Sequence, residues 1–92
     1  MREIDVVASP SAQGWECSVE VLGAGSRSRH RVAVSRDELA RYGRAGEDAA
    51  SLVRRSMAFL LEREPAESIL GSFDLSIIER YFPEYPSVIA GG

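Results

Sequence analysis

Three segments in the first third of the chain alternate apolar and polar residues with a period of two. They cover residues 3–8, 15–22 and 28–34, and each would place its apolar side chains on one face. Such alternation is typical of half-buried β-strands. The expected inward positions are Ile4, Val6, Ala8, Trp15, Cys17, Val19, Val21, His30, Val32 and Val34. Loops rich in proline or glycine separate the segments, so the pattern predicts an antiparallel meander.

The hairpin between the second and third strands has two acceptable registers, because both keep the apolar faces together. We favour the register in which paired residue numbers add up to 47, with Gly23-Ala24 as a two-residue loop. It also places glutamates directly opposite arginines, in the pairs Glu20–Arg27 and Glu16–Arg31. The alternative total of 49 keeps one such pair, Glu20–Arg29, over an expected four-residue loop.

The middle of the chain carries helix signals. Ser35 and Glu38 have the spacing of a capping box, which predicts a short helix to about Tyr42, with Gly43 in the left-handed terminal conformation. Apolar residues then recur every three or four positions, which predicts a long amphipathic helix from Glu47 to about Glu64.

After Pro65 the pattern predicts one helical turn within residues 66–70 and a last short helix from Leu75 to Phe82, capped by Asp74. Pro83 and Pro86 would leave an irregular tail. The 92 residues allow one domain, residues 1–92. The expected fold class is α+β: a two-layer, three-stranded antiparallel meander packed by the long helix, with a short C-terminal helix.

Charge is distributed unevenly along a chain whose net charge is −3. All eleven basic residues are arginines, and residues 27–44 contain six of them against two acidic residues. These six are candidate contacts for phosphate or for an acidic partner: Arg27, Arg29, Arg31, Arg36, Arg41 and Arg44. Glu16 and Glu20 would face the strand arginines, however, so a salt-bridged sheet surface is the favoured interpretation and nucleic-acid binding is disfavoured.

The sequence carries little catalytic chemistry. Cys17 and His30 are the only cysteine and histidine, and the favoured register places them opposite each other on the inner face. A thiol beside an imidazole is a possible nucleophile, but two core side chains are the better interpretation. We therefore predict no catalytic residue, no metal site and no cofactor. A lone cysteine and the absence of a long apolar run favour a cytoplasmic protein that spans no membrane.

Aromatic and branched residues are concentrated near the end of the chain. Five of them form a candidate interface: Tyr81, Phe82, Tyr85, Val88 and Ile89. The segment would either fold back over Phe59 and Leu61 or form a patch that pairs with a second copy. Fold-back is the favoured first event, because Phe59 and Leu61 lie off the main helical stripe and need a cover.

Two resemblances accompany these patterns. Three strands followed by a helix containing Ala49–Ser56 and Leu60–Glu64 resemble, over residues 3–64, the small α+β modules of HicB-like antitoxins. The element order is also similar to that of three-strand-plus-helix domains of some DNA-binding integrases. The glycine-rich strand-to-helix segment typical of HicB antitoxins is missing here. The run from Phe73 to Pro86 resembles the tail of a family of small uncharacterised bacterial proteins, which implies no activity.

These observations predict a non-enzymatic module that binds another protein or itself. The alternative is a nucleic-acid-binding module, antitoxin-like or regulator-like, that uses the arginine-rich sheet face.

Overall fold

The computed structural model describes residues 3–23 and 25–91, and its element order is β-β-β-α-α-β-α-α. The strands are β1 (Glu3–Pro10), β2 (Gly14–Gly23), β3 (Ser26–Ser35) and β4 (Ser72–Asp74). The helices are α1 (Arg36–Tyr42), α2 (Ala49–Leu61), α3 (Ile77–Tyr81) and α4 (Tyr85–Gly91), with a 3₁₀ turn at Ala66–Ser68. The α+β class is therefore confirmed.

The sheet is four-stranded and mixed rather than three-stranded and antiparallel. The strands lie in the order β1-β2-β3-β4, and β4 runs parallel to β3. Backbone bonds fix β4 at both ends, from Arg31 N–H to Gly71 carbonyl and from Leu75 N–H to Ala33 carbonyl. A three-residue strand is too short to produce a periodic pattern, so the sequence did not predict it.

The favoured hairpin register is wrong. Trp15 pairs with Val34, so paired residue numbers add up to 49, and the pairing continues as far as Gly23 and Ser26, which is closer to the turn than the expected four-residue loop allows. The other register needs an extended Gly25 beside Leu22, whereas Gly25 has a φ of +75°, in the left-handed region that glycine adopts freely.

Helix α1 begins as predicted. The Ser35 hydroxyl accepts from Glu38 N–H at 3.0 Å, and the Glu38 carboxylate accepts from Ser35 N–H at 2.8 Å. Gly43 is extended rather than left-handed, with a φ of −78°. Glycine is required at position 43 for a steric reason instead, because a Cβ there would lie 2.6 Å from the Leu39 carbonyl oxygen.

Helix α2 packs across the inner face of β1 and β2 and is shorter than expected at both ends. Asp48 caps it by accepting from Ser51 N–H at 2.8 Å, which leaves Glu47 before the first turn. Buried α2 side chains, including Leu52, Val53 and Met57, meet buried strand side chains to form the core. No helix in the described ranges is long and apolar enough to cross a membrane.

The C-terminal region differs most from expectation. Asp74 ends β4 instead of capping a helix, and α3 begins at Ile77. The predicted irregular tail is the helix α4, which accommodates Pro86 because a proline in the first turn lacks only an amide that would have no helical partner.

Candidate functional site

The strand arginines lie on the outer face of the sheet, as predicted, and each is paired with a glutamate. Arg27 and Arg29 lie 3.4 and 3.3 Å from the Glu20 carboxylate, and Arg31 lies 3.5 Å from Glu16. All three arginine side chains are well exposed, so each pair is worth less than about 1 kcal/mol. Their positive charge is nevertheless compensated locally, which weakens the attraction of this face for phosphate.

The other three candidate arginines do not join that face, because all belong to α1 or follow it. Arg41 lies 3.2 Å from the Glu79 carboxylate of α3. Arg36 donates to the Ala12 carbonyl at 3.5 Å, and with Arg44 it lines a shallow depression beside α1. The six arginines are therefore divided between the open sheet face and the α1 region, rather than forming one basic surface.

Cys17 and His30 are not opposite each other. In the observed register Cys17 pairs with Val32 and His30 with Val19. Burial, followed by the negative charges of Asp48 and Glu16, raises the pKa of the Cys17 thiol to about 11. A protonated, fully buried thiol is a poor nucleophile. No group of three metal-ligating side chains occurs among residues 3–23 and 25–91.

His30 has a structural role instead, because both of its ring nitrogens are hydrogen-bonded. Its Nδ1 lies 2.8 Å from the Leu70 carbonyl oxygen, to which it donates, and its Nε2 lies 2.9 Å from the Ser28 hydroxyl. The ring therefore ties the segment that follows the 3₁₀ turn to β3. This segment forms one wall of a surface groove.

The C-terminal segment folds back over α2, as favoured above. Tyr85 is fully buried, and its ring centroid lies 5.0 Å from that of Tyr42 and 5.3 Å from that of Phe59. Its hydroxyl lies 2.7 Å from that of Ser56, and burial raises the pKa of this phenol. Ile89 is also buried. Two of the five candidate interface residues are therefore core residues.

A buried ion pair holds α4 in place. Arg55 donates to both carboxylate oxygens of Glu47, at 2.8 and 2.6 Å, and its third nitrogen donates to the Ile89 carbonyl at 2.6 Å. The Glu47 carboxylate also accepts from Arg44 N–H and from the Ser51 hydroxyl. The Arg55 bonds, more than these others, lower the pKa of Glu47 to about 2.

The remaining candidate interface residues lie outside the core. Val88 is 46% exposed on α4, Tyr81 is 66% exposed, and Phe82 is partly buried against the edge of the Phe59 ring. Tyr81 and Phe82 border an apolar groove of about 370 Å³ between the 3₁₀ turn, β4 and α3. Other apolar residues line it: Leu60, Ile69, Leu70, Phe73, Ile77 and Ile78.

The groove also contains polar residues and one feature that the sequence did not predict. Among the described residues, Glu64 is the one charged lining residue and Ser68 is also polar. Leu70 is 47% exposed although it lies in the groove wall. The apolar pair Ile69-Leu70 was the available signal, but the sequence does not show that Ile69 is buried and Leu70 exposed.

Comparison with known proteins adds no relative. No family model, curated protein or solved structure matches this chain. The resemblance in element order to HicB-like antitoxins therefore stays a prediction, and function must be inferred from the arrangement of the chain's own side chains.

Proposed function

We propose that this protein is a non-enzymatic interaction module, and that the groove between the 3₁₀ turn, β4 and α3 binds a segment of another protein. The observation that carries the proposal is the exposure of large apolar side chains in the lining of this groove. Four large apolar side chains are exposed among the described residues, and two of them, Leu70 and Tyr81, lie in the groove lining. Burying exposed apolar surface is the main favourable term in association.

Charge defines the chemistry of the segment that would fit. In the part of the lining that the structure describes, Glu64 is the one charged side chain. The neighbouring Arg63 does not neutralise it, because its guanidinium contacts Glu84, the Phe59 carbonyl and the Phe59 ring. The complementary partner is therefore a polypeptide segment with an apolar anchor side chain and a lysine or arginine beside it.

Nucleic-acid binding through the outer sheet face is the second candidate function. The alternation of β3 favours it by placing Arg27, Arg29 and Arg31 in one row. The ion pairs to Glu16 and Glu20 count against it, because phosphate would have to displace carboxylates. Titration of short RNA and duplex DNA at increasing salt tests it, and no retention at low salt removes it.

A peptide-display library tests the groove directly. We expect selection on the wild-type chain to enrich sequences that combine an aromatic or branched residue with a neighbouring basic residue. Leu70→Glu should abolish binding of these sequences, whereas Val88→Glu, a matched substitution of an exposed apolar residue outside the groove, should leave it unchanged. If no enriched sequence depends on Leu70, or if nothing is enriched, the groove is refuted as the binding site.

A further inference from the structure

Strand β1 forms an open edge of the sheet. It is eight residues long, and within the described residues it pairs with β2 on one side and with no strand on the other. An edge strand presents unpaired backbone N–H and C=O groups, which can accept a further strand.

The turn between β1 and β2 determines which residues present those groups. Ser11 and Gly14 exchange two backbone hydrogen bonds, of 2.9 and 3.3 Å. Because such doubly bonded pairs alternate along an antiparallel ladder, the odd-numbered residues of β1 bond to β2. The backbone groups of Ile4, Val6 and Ala8 therefore point away from the sheet. The Ile4 carbonyl confirms this direction, because it accepts from Arg54 Nε of α2 at 3.2 Å.

Protection against edge pairing on β1 is limited to the Arg54 contact at Ile4, the exposed charges of Glu3 and Asp5, and Pro10 at the end of the strand. Pairing with β2 runs one-to-one from Glu3 to Pro10, without a bulge, and Pro10 is the last residue of the strand. The inner-face side chains of Ile4, Val6 and Ala8 are only half-buried, and Val7 on the outer face is 66% exposed. Ala58, one turn after Arg54 on α2, is small and exposed.

The charge on the outer side of β1 selects the occupant. Glu3 and Asp5 are both exposed there, and Asp5 lies directly opposite Glu20, a like-charged neighbour. The arginine partners of Glu20 come from β3, which lies on the opposite side of β2 from β1. They therefore compensate the charge of Glu20 rather than the charges of Glu3 and Asp5. A cation beside Asp5 would remove this imbalance.

A second copy of the chain fits this edge poorly. Suppose that two copies pair their β1 edges antiparallel, through the unpaired backbone groups, with both inner faces on the same side of the joined sheet. Even-numbered residues of one copy would then lie opposite even-numbered residues of the other, for example around Val6. The outer side of that joint would then carry Glu3 and Asp5 from both copies, with no basic residue of β1 to offset them.

We propose that the edge of β1 accepts an extended strand of a partner protein in which apolar and basic residues alternate. The apolar side chains point towards α2, and the lysine or arginine side chains lie beside Glu3 and Asp5. The proposal extends protein binding to a second site, at the opposite edge of the sheet from the β4 side where the groove lies. It rests on the proposed class of function, but either site can fail without the other.

A capped heptapeptide of alternating lysine and valine is the probe, with a glutamate–valine heptapeptide as its control. Amide hydrogen exchange followed by NMR measures whether the backbone amides of the β1 edge become protected. We expect the lysine peptide to slow exchange at Ile4, Val6 and Ala8, while the amides of Asp5 and Val7, already bonded to β2, change little. Protection of these edge amides at rising protein concentration without peptide would overturn the proposal in favour of a second copy. Peptide binding without protection of the edge amides would also overturn it.

Charge reversal tests the selectivity. Asp5→Lys should weaken binding of the lysine peptide about fivefold and strengthen binding of the glutamate peptide. The fold should tolerate it, because the new lysine faces Glu20. The matched control Glu67→Lys, an exposed acidic residue in the 3₁₀ turn, should change neither affinity. Leu70→Glu should spare this binding, which separates failure of the edge from failure of the groove. Equal affinities of wild type and Asp5→Lys for the lysine peptide would refute the charge argument.

Discussion

Replacing Glu47 with glutamine should destabilise the protein by removing the charge that Arg55 and the C-terminal helix depend on. The Glu47 side chain is 7% exposed, and that of Arg55 is 23% exposed. Lowering the carboxyl pKa from 4.5 to about 2 corresponds to about 3 kcal/mol of stability at neutral pH. Since water partly screens Arg55, we expect Glu47→Gln to cost about 2 kcal/mol. For a domain of this size, that lowers the melting temperature by about 10 °C.

The pH dependence distinguishes an ionic contribution from a purely steric one. A carboxylate whose pKa is depressed on folding stabilises the protein above its unfolded pKa, here 4.5, and loses that effect as pH falls towards about 2. The difference in stability between wild type and Glu47→Gln, measured by thermal unfolding, should therefore be largest at pH 7 and less than half as large at pH 3. Glu62→Gln is the control, because Glu62 is 76% exposed and its contact with Arg63 should contribute little. An equal difference at both pH values would show that the Glu47 charge does not contribute to stability.

Three further predictions follow from the buried residues. Tyr85→Phe should cost about 1–2 kcal/mol in urea unfolding, because it removes a buried hydroxyl bonded to Ser56; an unchanged midpoint would contradict that bond. Deleting residues 83–92 should lower the melting temperature by well over 10 °C, because Tyr85 and Ile89 leave the core, and an unchanged melting temperature would show that α4 does not cover it. Cys17 should resist a thiol reagent at pH 8 until urea unfolds the chain, and rapid labelling of the native protein would contradict its burial.

Regular patterns made the larger elements predictable from the sequence. The three antiparallel strands follow from alternation, α2 follows from its apolar stripe, and α1 follows from the Ser35–Glu38 capping box. These signals are local, so they survive without knowledge of the tertiary structure. The fold-back of the tail was also accessible, because Phe59 and Leu61 required a cover.

Elements that depend on distant neighbours were not predictable. β4 exists because β3 offers an unpaired edge to residues 72–74, and α4 exists because Tyr85 and Ile89 pack on α2. The hairpin register failed because arginine side chains are long enough to reach glutamates diagonally. Arg27 and Arg31 still meet Glu20 and Glu16 although neither lies directly opposite its partner, so charge pairing does not discriminate between the two registers.

The residues of the candidate site also divide into those that the sequence indicated and those that it did not. Tyr81 and Phe82 were singled out by the aromatic residues near the chain end, whereas Tyr85 and Ile89 carried the same signal and became core residues. Local sequence does not say which face of a short helix will be covered. Leu70 was missed because its position depends on tertiary contacts: its carbonyl is bonded to His30, forty residues away in the chain.

Photo-crosslinking in the native host shows whether the groove binds protein. A photoreactive phenylalanine analogue would replace Tyr81 in one variant and Arg29 in another. We expect a discrete polypeptide adduct at position 81 that Leu70→Glu abolishes, and no adduct at position 29. A nucleic-acid adduct at position 29, with none at position 81, would contradict protein binding at the groove and make the arginine face the functional surface.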